Sequence, residues 1–266
     1  MDLRVFVTQC ALLFALLLLA ACSTATPVTP QVPQAPHEFS GILVGETRWQ
    51  GEVILADDVI IPRGSRLVIA PGTRITVRPS LSTKIEPEQL SAATELLIRG
   101  RLEALGSDTQ PIEFVIEGGL DDDIAWAGII AEQAEFVSLA HVRLPAAEQG
   151  VWLVATPGMI HDCLVRGSRY GMVFQKPAEL TVSGNRIEAG EAGLFCWLGA
   201  NPKLLHNQVV GLVEEGLFID ATSHPTLRGN RITGNGIGLV APPLLETSGN
   251  RISGNRVERI ELGGQL

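Results

Sequence analysis

The chain has 266 residues, a formal charge of −9 at pH 7 and a pI near 5.1, which argue against a broad phosphate-binding surface and a nucleic-acid partner. Its 45% hydrophobic content excludes disorder of the whole chain. Its 28 glycines beside only 5% aromatic residues favour many short β elements joined by tight turns.

Residues 1–21 have the pattern of an export signal. A short polar start precedes an apolar run over residues 5–20, which is shorter than the roughly 20 residues that span a membrane comfortably. The run leads into Leu-Ala-Ala-Cys at residues 19–22, which resembles the lipobox of bacterial lipoproteins. This resemblance implies that Cys22 is acylated and becomes the mature N-terminus. Ser23 then implies an outer-membrane lipoprotein if the source is Gram-negative, and an uncleaved transmembrane anchor is the alternative.

Residues 22–38 are predicted to form an extended tether. Residues 23–38 hold four prolines and show no apolar periodicity. The folded body is therefore expected to cover residues 39–266.

Two sequence markers recur with a period of about 22 residues in the second half of the chain. The first is an asparagine two residues before an aliphatic side chain, and its positions step by 22, 23 and 20. It occupies Asn185, Asn207, Asn230 and Asn250. The second is a glycine that opens an apolar run, at Gly150, Gly171, Gly193, Gly216 and Gly238. Repeats of this length with Gly/Asn turns predict a β-solenoid.

These repeats resemble the right-handed parallel β-helix family, which includes NosD-like periplasmic proteins and, more distantly, pectin-degrading enzymes. The most specific parts are the Asn-Arg-Ile turns at Asn185, Asn230 and Asn250 and the glycine markers. The resemblance implies an all-β fold, a right-handed parallel β-helix with coils of about 22 residues over residues 39–266.

The asparagines are expected to stack as a ladder at one turn of each coil. Amide side chains about 4.8 Å apart can bond to one another and to the backbone. Val142 and Cys163 take the same position in two preceding coils and are expected to be buried there. Cys196 belongs to a different side of the coil, so no disulfide with Cys163 is expected.

A loop before Trp126 carries the candidate catalytic residues Asp121, Asp122 and Asp123. Polysaccharide lyases of this fold bind a cation, and paired carboxylates can also hydrolyse a glycoside. The three acids are consecutive, however, which spreads their side chains in different directions. A solvated acidic turn is therefore the other interpretation.

The resemblance to NosD-like proteins also suggests metal handling. Met159, His161 and Cys163 stand at alternate positions, and soft copper ions prefer such donors. The ladder nevertheless assigns Cys163 inward, and His141 and His206 lie three coils apart, about 14 Å, which is too far to share an ion. The sequence therefore predicts no specific metal site and no cofactor.

Four arginines follow the ladder position and are expected to project outward as a row, to which an acidic glycan could bind. They are Arg143, Arg186, Arg231 and Arg251. In the alternative interpretation the arginines pair with acidic residues across the next turn. Those acids are Glu148, Glu191 and Glu214.

A row of apolar residues stands between two inward positions after each glycine marker. Alternation along a strand turns this row outward, where a solvated sheet would carry polar side chains. The row consists of Ile130, Trp152, Val173, Phe195, Phe218 and Val240. We expect it to be covered, either by an internal lid from residues 79–93 or the tether, or by a partner protein, a second copy or a glycan stacked on Trp152 and Phe195.

These features predict a membrane-anchored envelope lipoprotein whose β-helix binds or scaffolds a glycan or a protein partner without catalysis. The alternative is a carbohydrate-active enzyme, a polysaccharide lyase or glycoside hydrolase, that uses the loop at residues 121–123. An enzyme needs convergent charged groups in a groove, whereas a binding protein needs only the apolar row or the arginine row.

Overall fold

The computed structural model describes residues 36–79, 91–119 and 124–263, and within them every regular element is a β-strand. All paired strands run parallel and stack into a solenoid of about nine turns, which confirms the predicted all-β parallel coil. These ranges contain no helix that is long and apolar enough to cross a membrane.

In chain order the strands are β1 (His37–Ile42), β2 (Glu46–Trp49), β3 (Glu52–Ile61), β4 (Arg66–Ile69), β5 (Arg74–Val77), β6 (Thr94–Ile98), β7 (Arg101–Leu105), β8 (Ile112–Ile116), β9 (Trp126–Glu132), β10 (Phe136–Ala140), β11 (Val142–Leu144), β12 (Gln149–Val154), β13 (Gly158–His161), β14 (Leu164–Arg166), β15 (Tyr170–Gln175), β16 (Leu180–Ser183), β17 (Arg186–Glu188), β18 (Ala192–Trp197), β19 (Lys203–Leu205), β20 (Gln208–Val210), β21 (Glu215–Ile219), β22 (Thr226–Arg228), β23 (Arg231–Thr233), β24 (Ile237–Ala241), β25 (Arg251–Ile252) and β26 (Val257–Glu261).

The strands form three faces of the coil. Face 1 is the sheet β2-β4-β7-β10-β13-β16-β19-β22. Face 2 contains β5, β8, β11, β14, β17, β20, β23 and β25, and face 3 contains β6, β9, β12, β15, β18, β21, β24 and β26. The long strand β3 belongs to both, because residues 52–55 pair with β5 and residues 59–61 pair with β6. β1 pairs along β3 at the edge of the first coil.

Side chains that point into the coil form one continuous apolar core. On β15, Met172 and Phe174 belong to this core, and β18 places Leu194 and Cys196 at the paired positions. Because each coil repeats apolar residues at the same register, its inner side is buried against the coils above and below it.

Close contact between neighbouring coils explains the recurring glycine. A Cβ atom at Gly150 would lie 2.6 Å from the carbonyl oxygen of Gly171, and one at Gly171 would lie 2.9 Å from the oxygen of Gly193. A larger residue would therefore push the coils apart where face 3 begins.

The four repeated asparagines form a hydrogen-bonded ladder at the corner between faces 1 and 2. Nδ2 of Asn185 donates to Oδ1 of Asn207 at 3.0 Å, and Nδ2 of Asn207 donates to Oδ1 of Asn230 at 3.0 Å. The same bond joins Asn230 to Asn250 at 2.8 Å. Asn185 and Asn207 are fully buried, so these bonds satisfy amides that have no access to water.

A second, shorter ladder lies five residues further along the chain. Nδ2 of Asn235 donates to Oδ1 of Asn255 at 3.0 Å and to the carbonyl oxygen of Val209 at 3.2 Å. The backbone N–H of Leu212 donates to Oδ1 of Asn235 at 3.0 Å. The sequence signal for this ladder is the repeated Gly-Asn dipeptide, which our sequence prediction did not use.

Cys163 and Cys196 are buried free thiols on different sides of the coil. The backbone N–H of Cys163 donates to Oδ1 of Asn185 at 3.0 Å, so Cys163 continues the first ladder. Burial raises the pKa of the Cys163 thiol to about 12, and it raises the pKa of Cys196 as well.

Candidate functional site

The outward apolar row covers more coils than the sequence predicted. Strand register links ten positions, one in β1 and one in each strand of face 3 including β3. They are Ile42, Ile60, Leu97, Ile130, Trp152, Val173, Phe195, Phe218, Val240 and Ile260. With strands about 4.8 Å apart, the row is about 40 Å long.

The row lies on the outer side of the coil. Phe195 belongs to an apolar cluster that is separate from the central core, whereas the flanking Leu194 and Cys196 belong to the core. Ile130 lies in another separate cluster, and its neighbour Ile129 is in the core. The alternation along β9 and β18 therefore has the expected direction.

Aromatic side chains surround Phe195 near the middle of the row, and we call this group the aromatic cluster. It consists of Trp152, Tyr170, Phe195, Trp197 and Phe218. Phe195 stacks on Phe218 with ring centroids 5.3 Å apart, and it meets Tyr170 and Trp197 edge-on at 5.1 and 5.2 Å. Phe195 is only 4% exposed, whereas the other four are half-buried. Phe195 is thus not open to a stacked sugar, and the surrounding rings form the accessible surface.

Part of the segment expected to form a lid lies against the row at Ile130. Ala93 packs on the Ile130 cluster, and Oγ of Ser91 lies 2.8 Å from Oε2 of Glu148. Residues 80–90 lie outside the described ranges. Among the described residues, those that pack with Phe195 are the other members of the aromatic cluster, Val173 and Ala192.

The four arginines lie exposed along face 2 in register with one another. Nη1 of Arg143 donates to Glu113 of the preceding coil at 2.7 Å, and Nε of Arg186 donates to Glu188 at 2.6 Å. These carboxylates differ from the expected Glu148, Glu191 and Glu214, because ion pairs form between side chains on the same outer face. Glu191, for example, pairs with Arg169.

Two histidines from adjacent coils meet outside the corner between faces 1 and 2. His141 follows β10 and His161 ends β13, and their ring centroids lie 6.1 Å apart. Oδ2 of the next residue, Asp162, lies 2.9 Å from Nδ1 of His161. One donor atom from each of the three residues lies within 4.8 Å of the other two. We call these three residues the histidine corner.

Asp108 lies beside the histidine corner in the turn after β7. Its Oδ1 is 3.1 Å from Nδ1 of His141, and Asp108, His141 and Asp162 line a surface recess of about 130 Å³. Arg143 also lines this recess, and its charge is offset by the ion pair with Glu113.

The sequence prediction missed the histidine corner because it compared residues at equal ladder positions. His141 and His161 are 20 residues apart, whereas the ladder positions Val142 and Cys163 are 21 apart. Strand register places His161 opposite Ala140, so Asp162 is level with His141. The sequence signal for the histidine corner was a pair of histidines 20 residues apart, one residue less than the local ladder spacing of 21.

Other predicted donors are not brought together. Met159 is 50% exposed on β13 while Cys163 is 3% exposed, so the alternate positions Met159, His161 and Cys163 do not share a surface. Cys22 and the acidic residues Asp121, Asp122 and Asp123 lie outside the described residues, and their roles stay predictions.

One family model matches the chain over residues 121–261, and its description is "Periplasmic copper-binding protein (NosD)". The match covers 141 of the 266 residues, which is more than half of the chain. No curated protein and no solved structure matches. The matched region includes the repeated asparagines, the aromatic cluster and the histidine corner, and the chain belongs to the NosD family.

Proposed function

We propose that this protein is a non-catalytic scaffold of the cell envelope that holds a partner protein against the aromatic cluster. The observation that carries this proposal is the outward apolar row, which continues through ten register positions and meets, near its middle, the four half-buried rings of the aromatic cluster. An outward face with no polar residue at this register has no role in holding the coil interior together.

The chemistry of the cluster favours a protein over a glycan. Trp and Tyr are enriched where protein interfaces are buried most completely, because each brings a large apolar ring with a polar tip. A stacked sugar needs an open ring face, and the central Phe195 offers none at 4% exposure. A glycan lying on the arginine row is the second interpretation, since Arg186, Arg231 and Arg251 are exposed along one line.

Photo-cross-linking in the cells of origin tests the docking proposal. A photoreactive phenylalanine at Trp197 should give a specific cross-linked protein band, whereas the same group at Val213, which is 71% exposed and is not a member of the cluster, should not. The band should disappear when Trp152→Ser is added to the chain labelled at position 197. Equal bands from both positions, or none from Trp197, would contradict the proposal. Retention on an acidic glycan that is lost in Arg186→Ser would instead support the glycan interpretation.

We also propose that the scaffold is anchored in the outer membrane through lipid on Cys22. The short apolar run at residues 5–20 and the lipobox-like residues 19–22 support this anchoring, and the periplasmic description of the family agrees with export. Two or more acyl chains would hold the protein stably at the membrane surface.

We propose copper binding as a separate function alongside scaffolding, since the family description names copper. The donor atoms of the described residues decide which copper ion they could bind. Both thiols are buried and hold their protons strongly, so a thiolate site for Cu(I) does not fit. The histidine corner offers two imidazoles and a carboxylate, a donor set that suits Cu(II).

The carbohydrate-active enzyme stays the alternative, with Asp121, Asp122 and Asp123 as its candidate residues. Reducing ends or unsaturated sugars released from an acidic polysaccharide by the wild-type chain, and lost in Asp122→Asn, would favour it over the scaffold. No release across pectic and envelope polysaccharides would favour the scaffold.

A further inference from the structure

We infer that His141, His161 and Asp162 ligate one Cu(II) ion, and that Asp108 orients His141 by accepting a hydrogen bond from its ring. This assignment rests on the copper binding proposed above. Beyond copper binding itself, the assignment specifies the three ligands of the ion, its oxidation state and the hydrogen-bond partner of His141.

The distances at the corner are close to those that a bound ion requires. An ion with bonds of about 2.0 Å holds neighbouring donors about 2.8 Å apart and opposite donors about 4 Å apart. Nδ1 of His161 and Oδ2 of Asp162 form a hydrogen bond of 2.9 Å, a separation close to that of two neighbouring ligands, and an ion would replace the proton between them. The three donor atoms lie within 4.8 Å of one another. Side-chain rotations that move these atoms by less than about 1 Å would therefore bring all three within bonding distance of one ion.

The backbone holds these donors from two coils in fixed relation. The N–H of His141 donates to the carbonyl oxygen of His161 at 3.2 Å, within the parallel pairing of β10 and β13. His141 and Asp162 both have left-handed backbone, with φ of 49° and 54°, at the point where each coil turns the corner. Strand pairing therefore brings the three side chains together without a flexible loop.

Asp108 supplies the outer partner that ligating histidines usually have. Its carboxylate lies 3.1 Å from Nδ1 of His141, which leaves Nε2 of that ring as the metal-binding nitrogen. The donor set of two nitrogens and one oxygen, with the recess open to water, is borderline in softness and favours Cu(II) over Zn(II) by the usual order of affinities. Arg143 also lines the recess, but its positive charge is offset by the ion pair with Glu113.

Titration of the metal-free full chain, without a polyhistidine tag, with Cu(II) sulfate tests the assignment. We expect one tight Cu(II) per chain, with electron paramagnetic resonance signals that show nitrogen coupling from two imidazoles. Asp108→Asn should weaken the affinity about tenfold or more, and His141→Asn and His161→Ala should weaken it further and remove one imidazole coupling each. Asn at position 141 keeps a residue type that tolerates the left-handed backbone.

His206→Asn is the matched control, because His206 also has left-handed backbone at the same corner, with φ of 56°, but has no second histidine opposite it. Its affinity and spectrum should equal those of the wild-type chain. Circular dichroism of each variant separates loss of ligands from loss of fold. Unchanged Cu(II) binding in His141→Asn and His161→Ala would overturn the site while leaving copper binding in place. No binding by the wild-type chain would overturn both.

Discussion

The buried asparagines stabilise the coil through bonds that only an amide at this position can make. Asn207 donates from Nδ2 to Asn230 and to the carbonyl oxygen of Val182, and its Oδ1 accepts from the backbone N–H and Nδ2 of Asn185. Asn207 therefore donates to the following coil and accepts from the preceding coil. Loss of one member leaves polar groups unsatisfied on both sides.

We expect Asn207→Leu to lower the free energy of unfolding by about 1 to 3 kcal/mol, because its partners lose hydrogen bonds in a fully buried turn. Urea unfolding followed by circular dichroism measures the change. Asn201→Leu is the control, since Asn201 is exposed and accepts one bond of 3.3 Å from Ala178. A loss at Asn207 no larger than that at Asn201 would mean that water satisfies the ladder.

Cys163 behaves as a member of the ladder rather than as a reactive thiol. Its N–H donates to Asn185 as the N–H groups of the asparagines do, and the backbone of Val142 bonds to its sulfur. Because burial raises its folded-state pKa from the ordinary 9.0 to about 12, its contribution to stability is complete below pH 9 and is lost as the pH rises from 9 towards 12.

Cys163→Asn should therefore be tolerated, with a change in unfolding free energy below about 1 kcal/mol, because an amide fits the ladder. The variant should also lose less stability than wild type between pH 8 and pH 10.5, the range in which Cys163 begins to oppose folding. Denaturant melts at both pH values measure this. Cys196→Asn, in the apolar core, should be strongly destabilised by a buried amide without partners. Equal losses in the two variants would argue against the role of Cys163 in the ladder.

At the scale of elements, the spacing between coils depends on the glycine at the second position of five strands of face 3, which are β12, β15, β18, β21 and β24. A Cβ at Gly193 would overlap the carbonyl oxygen of Gly216 and lie 2.7 Å from Cγ1 of Val209. Gly211, by contrast, has left-handed backbone and nothing within 4 Å of the added atom. Substitution of Gly193 therefore measures the destabilisation caused by close packing, and substitution of Gly211 measures the destabilisation caused by backbone strain.

Gly193→Ala should destabilise the protein by about 1 to 3 kcal/mol or more, because backbone atoms of the next coil cannot move aside locally. Gly211→Ala should cost only about 1 kcal/mol, the usual price of a left-handed backbone without glycine. Thermal or urea unfolding of the two variants under the same conditions gives the comparison. A larger loss in Gly211→Ala would show that contact between coils is not what requires Gly193.

Sequence periodicity was sufficient to predict the coil and its inner and outer residues, because each register position repeats one class of side chain. It placed Cys196 inward and Phe195 outward, as the separate clusters show. Periodicity could not predict contacts between residues whose spacing differs by one from the local repeat length at a corner of the coil. His141 and His161 meet for this reason, and Arg143 pairs with Glu113 rather than with Glu148 because the outer face, not chain proximity, selects the partner.

At the scale of the whole molecule, the strand pairings of the described solenoid join only neighbouring coils. The proposed lipid anchor would lie in the segment before the first coil. The cysteines would distinguish the processed from the unprocessed protein, because the proposed cleavage before Cys22 would remove Cys10 and the proposed lipid would block the Cys22 sulfur. Only Cys163 and Cys196 would remain as thiols.

Protein isolated from membranes should therefore react with a thiol reagent at two sites after denaturation and at none before, since both thiols are buried. Cys22→Ser should stay unprocessed and expose three reactive cysteines after denaturation. Mass spectrometry of the N-terminal peptide provides the second measurement. Normal cleavage and membrane retention of Cys22→Ser would contradict the lipid assignment.

The placement of the four tryptophans gives the protein two optical reporters. Trp49 and Trp126 are fully buried in the core, whereas Trp152 and Trp197 lie half-buried in the aromatic cluster. Acrylamide should quench fluorescence from the second pair first, and a ligand that covers the cluster should shield that fraction without altering the emission of the first pair. Binding and unfolding can thus be observed separately in the unlabelled chain.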